Sequence, residues 1–233
     1  MITFENVSKT YITQKALKDI NIELPKGKII GIIGENGSGK STMLKLIAGL
    51  IRPTKGFVKV NDIQTNRRVS EIVTYLSELD AYYAMYTVKQ TMDFFATQYK
   101  DFDLEKANQI MKFMKLEPSQ KVKNLSKGNR GRLKIVLSLA RDVPYIILDE
   151  PFSGLDPMVR ESVVKGLLSY IDLEKQTVII TTHEIQEVEA LLDMIVVIRN
   201  GQIIDTKSVE KLHEQEQMSV VEWLKNVYEN APA

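Results

Sequence analysis

Gly34-Glu35-Asn36-Gly37-Ser38-Gly39-Lys40-Ser41-Thr42 constrains this chain more than any other stretch. A β-branched run, Ile29-Ile30-Gly31-Ile32-Ile33, leads into it. Leu44, Ile47, Ala48 and Ile51 follow at helical spacing, so the segment after the turn has one apolar face. A strand, a glycine-rich turn and a helix start together make a phosphate site out of G-x-x-x-x-G-K-[ST]. The glycines let the backbone curl until successive N–H groups point inward as an anion nest. The helix N-terminus behind the nest adds partial positive charge. Lys40 is placed to reach β- and γ-phosphates, and the Ser41 hydroxyl is placed to ligate Mg²⁺.

The rest of the chain supplies what such a turn needs around it. Tyr145-Ile146-Ile147-Leu148 is apolar without interruption and runs into Asp149-Glu150. A strand apolar on both faces belongs at the centre of a parallel sheet, and open α/β sheets carry their sites at the carboxyl ends of such strands. Asp149 is then a candidate Mg²⁺ ligand, and Glu150 a candidate for polarising water against a γ-phosphoryl group. Thr177 to Thr181 is a further buried strand, with His183 just past its end. Taken alone, His183 reads as a surface or capping histidine; beside Glu150 it becomes a donor to the γ-phosphate or the attacking water. Tyr11 reads equally as an ordinary loop aromatic between the first two strands or as a flat ring on which adenine stacks.

Elsewhere Ile20, Ile22 and Leu24 alternate as a strand, as do Phe57 to Val60 and Ile72 to Leu76. From Thr87 to Leu116 the pattern is helical, which makes this stretch a mostly α insertion in an α/β scaffold. It carries Phe94, Phe95 and Tyr99, with Tyr82, Tyr83 and Tyr86 just ahead of it. These aromatics read as the core of a small helical lobe, with Tyr82, Tyr83 and Tyr86 as alternative candidates to line a groove for a partner. Ser126 is placed as the N-cap of a helix that ends at Pro144. Asn200-Gly201 marks a hairpin. Val220, Trp223, Leu224, Val227 and Tyr228 share one face of a C-terminal helix. His213 reads as a solvated helix residue.

Composition narrows the classes. A net charge of +1 in 233 residues gives no bulk field for nucleic acid or an anionic membrane. With no cysteine, disulfides and thiolate metal sites are excluded, which is compatible with cytosol. Met1 to Glu5 does not read as a signal peptide, and no apolar run approaches the ~18 residues that span a bilayer.

Taken in order, these motifs resemble those of ABC-type ATPases, the nucleotide-binding subunits of ABC transporters. They are Tyr11 (A-loop), Gly34 to Thr42 (Walker A), Tyr75 to Glu78 (Q-loop region), Leu125 to Asn129 (signature), Tyr145 to Glu150 (Walker B), Ser153 to Asp156 (D-loop) and His183 (H-loop). The resemblance implies an α/β fold: a P-loop NTPase core, its mostly parallel sheet flanked by helices, with an antiparallel β subdomain and an inserted α-helical subdomain. The expected division is 1–79 and 141–210 for core and β subdomain, 80–140 for the helical signature subdomain, and 211–233 for the C-terminal helix.

It implies ATP and Mg²⁺ as ligands, with Tyr11, Gly34, Asn36, Gly37, Ser38, Gly39, Lys40, Ser41 and Thr42 on ATP. Ser41, Glu78 and Asp149 would serve the metal, and Glu150 and His183 the chemistry. Two such domains would meet head to tail, as homo- or heterodimer, with Ser126, Lys127, Gly128 and Asn129 acting in trans and Asp156 in the D-loop. A separate membrane-spanning subunit would anchor the pair at the cytoplasmic face of the membrane.

Two departures stand out. The signature reads Leu-Ser-Lys-Gly-Asn where the family usually has Leu-Ser-Gly-Gly-Gln, and Glu78 stands where glutamine is usual. Both resemble the ABC-2-type exporters of drugs and peptides. The expected function is therefore ATP hydrolysis driving export of a drug, peptide or lipid-like substrate. The alternatives are uptake, or a soluble ABC ATPase of translation or DNA repair.

Overall fold

The computed structural model describes residues 1–77, 82–183 and 185–230. In chain order the elements are β1 (Ile2–Tyr11), β2 (Gln14–Leu24), β3 (Ile29–Ile33), α1 (Lys40–Ile47), β4 (Lys55–Val60), β5 (Ile63–Gln64), β6 (Val73–Leu76), α2 (Val88–Gln98), α3 (Leu104–Phe113), α4 (Lys127–Leu139), β7 (Tyr145–Leu148), α5 (Pro157–Tyr170), β8 (Thr177–Thr182), β9 (Met194–Arg199), β10 (Gln202–Ser208), α6 (Val209–Gln215) and α7 (Val220–Asn230). They form an α/β architecture with two sheets. The smaller sheet has the order β2-β1-β4-β5 and is antiparallel throughout. The larger has the order β10-β9-β3-β8-β7-β6 and is parallel except for β10.

The large sheet separates two apolar cores, and strand alternation assigns side chains to each. Ile30, Ile32, Ile147, Ile179, Val196 and Ile198 pack with α1 and the antiparallel sheet. Ile146, Leu148, Val178, Ile180, Ile195 and Val197 pack with residues of α2 to α7 on the other face. Strands buried on both faces read as continuous apolar runs, as β3, β7, β8 and β9 do. The central position expected for β7 needs correction. It has parallel neighbours on both sides, but β6 is the sheet edge, so β7 lies one strand in. Two cores, not centrality, make it apolar throughout.

Local signals account for the element ends. Thr87 and Gln90 form a reciprocal capping box at the start of α2, so Gln90 has a structural job there. Ser126 caps α4 by accepting from the Asn129 N–H at 3.2 Å. Asn200 and Gly201 both adopt positive φ, 49° and 79°, and join β9 to β10 in a two-residue hairpin turn. Tyr145 ties the two sheets together: its hydroxyl donates to Asn61 Oδ1 at 2.6 Å. Burial, with the Asp62 charge adding, pushes that phenol up to about 12.

The helical lobe is fastened to the core by Arg141, just past α4. Its guanidinium is buried, forks onto the Asp101 carboxylate, donates to the Ser70 carbonyl at 2.8 Å and lies 3.8 Å from the Tyr99 ring centre. Stripping a buried guanidinium of its carboxylate leaves a charge without compensation. Asp101 is itself a quarter exposed, which moderates the cost. Asp101→Ala should destabilise the fold by about 2 kcal/mol, read as a lowered urea midpoint at unchanged slope.

Candidate active site

The turn after β3 is held open by its neighbours. A side chain at Gly34 would sit 2.2 Å from the Ile198 carbonyl oxygen, so only glycine lets the turn pass the end of β9 this closely. The hairpin turn props it from the other side, where the Gly201 N–H donates to the Ser38 carbonyl at 3.0 Å. Lys40 is only 5% exposed and donates to the carbonyls of Gly34 at 2.7 Å and Glu35 at 3.2 Å.

At the end of β7, Asp149 is 3% exposed and its carboxylate accepts three hydroxyls. Ser41 donates to Oδ1 at 2.9 Å from the start of α1, Thr181 donates to Oδ1 at 2.9 Å from β8, and Tyr75 donates to Oδ2 at 2.8 Å from β6. Four elements thus converge on one carboxylate. Glu150 follows in the left-handed region, φ 48°, an uncommon conformation for a residue other than glycine. Its N–H donates to the same Thr181 hydroxyl at 2.9 Å, which holds the turn. The turn aims the Glu150 carboxylate between two cations or donors. Oε1 is 3.4 Å from the Lys40 ammonium, and Oε2 shares a 2.9 Å hydrogen bond with His183 Nδ1.

Tyr11, Asn36, Gly37, Gly39 to Thr42, Glu150, Ser153 and His183 line one cleft of about 410 Å³, and Asp149 borders an adjoining one. Tyr11 is the last residue of β1, not a loop residue, and its ring is 42% exposed with the Lys9 ammonium 5.0 Å from its centre. Gly34 and Ser38 do not line the cleft. The Ser38 hydroxyl is buried against Gly34 and has no hydrogen-bond partner among the described residues.

The pair Ser41 Oγ and Asp149 Oδ1, 2.9 Å apart, also suits a metal. Two neighbouring ligands of an octahedral Mg²⁺ with bonds of 2.0–2.1 Å stand about 2.9 Å apart. The donor set therefore fits that ion.

The signature residues are elsewhere. Ser126, Gly128 and Asn129 do not line the cleft. Lys127 borders an adjoining cavity of about 200 Å³ that shares Glu150 and Ser153 with it. Asp156 caps α5, accepting from the Val159 N–H at 3.0 Å. Glu78 lies outside the described residues. Sequence reasoning missed Tyr75 and Thr181. Tyr75 read as a strand residue at the start of the Q-loop region and Thr181 as the end of a buried strand, and neither was given a contact to Asp149.

A parallel sheet carrying a glycine turn after one strand and paired carboxylates after another defines a P-loop nucleotide-binding ATPase fold. Residues 17–153 match the family model described as ABC transporter, more than half of the chain, and the chain belongs to that family. It is 30% identical over 234 residues to the ABC transporter ATP-binding protein NatA of Bacillus subtilis, covering 93% of each. It is 33% identical over 225 residues to the sulfate/thiosulfate import ATP-binding protein CysA of Synechocystis, covering 91% of this chain and 62% of that one. Its fold superposes with a TM-score of 0.80, at 26% identity over 90% of this chain and 99% of that one, on the ATP-binding cassette MJ0796, solved as a dimer in a post-hydrolysis state with ADP and Pi.

Thr181 is a direct test of how the carboxylates are held. Thr181→Val keeps the volume but leaves Asp149 one donor short and the Glu150 N–H without its acceptor. Stability should fall by about 1–2 kcal/mol, and half-saturation of nucleotide binding by Mg²⁺ should shift upward, measured by titrating the metal at fixed ATP.

Proposed function

We propose that this chain is the ATP-hydrolysing subunit of an export-type ABC transporter, working as a head-to-tail pair beneath a separate membrane-spanning subunit. The observation that carries the hydrolytic reading is Glu150, held between Lys40 and His183 at the lip of the cleft. The turn N–H groups, the Ser38 hydroxyl and Lys40 would bind the triphosphate, and the Tyr11 ring would stack on adenine. Ser41 and Asp149 would hold Mg²⁺, which would supply positive charge against the phosphates. Glu150 would orient water in line with the γ-phosphorus and take its proton as the bond to the β-γ bridging oxygen breaks, giving ADP and phosphate. His183 would hold Glu150 and the γ-phosphate in register.

The head-to-tail pair is supported by the place of Ser126 and Gly128, outside the chain's own cleft but at the start of α4. There their N–H groups would receive another copy's γ-phosphate. Closure then depends on a triphosphate bridging two copies, and hydrolysis releases it.

No described helix is long and apolar enough to cross a membrane; we assign the membrane-spanning part to a different chain on the likeness to ABC transporter ATP-binding proteins. A cleft of about 310 Å³ between the end of α1 and the helical lobe, lined by Leu50, Tyr75, Tyr82, Phe95 and Tyr99, is where we place a short helix of that chain. The aromatics give it apolar area with polar tips, suited to an amphipathic segment. Among them Tyr82 belongs to the groove, whereas Tyr83 and Tyr86 stack on each other and on Phe94 beside it in sequence. Export is favoured by Lys127 and Asn129, which resemble the signature of ABC-2-type exporters. Uptake is the second reading, favoured by the relative named as an importer.

Two outcomes test the central claim. Glu150→Gln should bind ATP, lose turnover at least a hundredfold and accumulate as a dimer in size-exclusion chromatography with ATP; a monomer there would reject the bridging triphosphate. Lys40→Ala should weaken ATP binding at least tenfold in a fluorescent-nucleotide titration, because the phosphates lose their buried cation.

A further inference from the structure

The C-terminal helix α7 joins the two segments that converge on the triphosphate. At its N-terminal end the Val220 N–H donates to Glu189 Oε1 at 3.0 Å, and the same oxygen lies 3.3 Å from His213 Nε2 on α6. Glu189 sits six residues after His183, in the short 3-10 turn Glu189–Leu191. A carboxylate at a helix N-terminus satisfies an orphan donor and complements the macrodipole. The preceding turn, Ile185–Glu187, packs directly on α7. Ile185, Val188, Leu191, Val220, Trp223 and Leu224 belong to one buried cluster.

The other end of α7 meets the end of β9, next to the hairpin turn that props the phosphate turn. Arg199 donates to the Tyr228 carbonyl at 3.4 Å and stands 5.9 Å from the Tyr228 ring centre. Arg199 is the last residue of β9, and the turn beginning at the next residue holds Ser38 through the Gly201 N–H. Burial first, and then the charge of Glu35 in the phosphate turn, push the Tyr228 phenol upward. Eleven helical residues span roughly 16 Å. One rigid element therefore rests on the histidine segment at one end and beside the phosphate turn at the other.

We infer that α7 is a strap that sets the position of His183 relative to the phosphate turn, with Glu189 as its positioning residue. Glu189 does not line the cleft; it acts by holding the segment that carries His183. The inference rests on the ATPase reading above and adds a path by which the γ-phosphate is felt at the C-terminus. It also supplies its own reporter, since Trp223 on α7 is the chain's single tryptophan and is buried against that segment.

The test uses the full unmodified chain with Mg²⁺. A non-hydrolysable ATP analogue should change Trp223 emission, and ADP, which lacks the γ-phosphate, should not. Glu189→Ala should lower kcat about tenfold with KM for ATP within twofold and abolish the Trp223 response. Glu189→Gln keeps an acceptor for the Val220 N–H and should restore at least half of kcat. Equal responses to analogue and ADP, a silent Trp223 beside normal turnover, or unchanged kcat in Glu189→Ala would overturn the strap alone. Failure of the unmodified chain to bind ATP in the same titration would overturn the ATPase reading beneath it.

Discussion

A carboxylate sunk at the end of a parallel strand has to be solvated by the protein, and the protein around Asp149 is organised to do so. At 3% exposure bulk water does little for this group, and an unpartnered buried charge costs several kcal/mol. Three hydroxyls replace it, from β6, from β8 and from the first turn of α1. Each is delivered by a different element. The order of strands is therefore a condition of the site as well as of the fold. β8 lies between β3 and β7 in the sheet, which puts Thr181 between the phosphate turn and the acidic pair. A hydroxyl network of this kind suits a position that exchanges protein donors for a cation, since the oxygens are already gathered at ligand spacing.

The same sheet explains how two different sets of neighbours can meet at one cleft. Alternate residues of β3, β7, β8 and β9 feed two cores that do not mix. One contains α1 and the antiparallel sheet that ends in Tyr11; the other contains the helical lobe and the C-terminal helices. The phosphate turn belongs to the first side and the histidine segment to the second. Whatever sits in the cleft is touched by both, so occupancy can be communicated across the sheet only through its rim. The proposed strap is attached at that rim.

Legibility in the sequence followed the range over which each feature is encoded. The α/β class, the strands of the large sheet and the hairpin at Asn200-Gly201 were readable because periodicity and turn chemistry act over a few residues. Lys40, Ser41, Asp149 and Glu150 were readable because each sits in a contiguous motif. Tyr75 and Thr181 were not, because a strand residue announces its face and not the carboxylate its hydroxyl will meet at the end of the adjacent strand. The expectation of a central β7 failed for a related reason. Apolarity reports burial on both faces, and two cores provide that one strand from the edge. His213 read as merely solvated because its partner Glu189 is 24 positions away.

Glu150 shows where local rule and global requirement part. A left-handed glutamate costs on the order of 1 kcal/mol or more relative to an ordinary conformation. No propensity in the sequence asks for it. It persists because its N–H is bound by Thr181 and its carboxylate by Lys40 and His183. Had β7 simply continued as a strand, residues 149 and 150 would have pointed to opposite faces of the sheet, one into each core. The positive φ brings both carboxylates to the same end of the strand. The strain thus accompanies a geometry in which Glu150 turns toward Lys40 and His183 while Asp149 stays with its three hydroxyls.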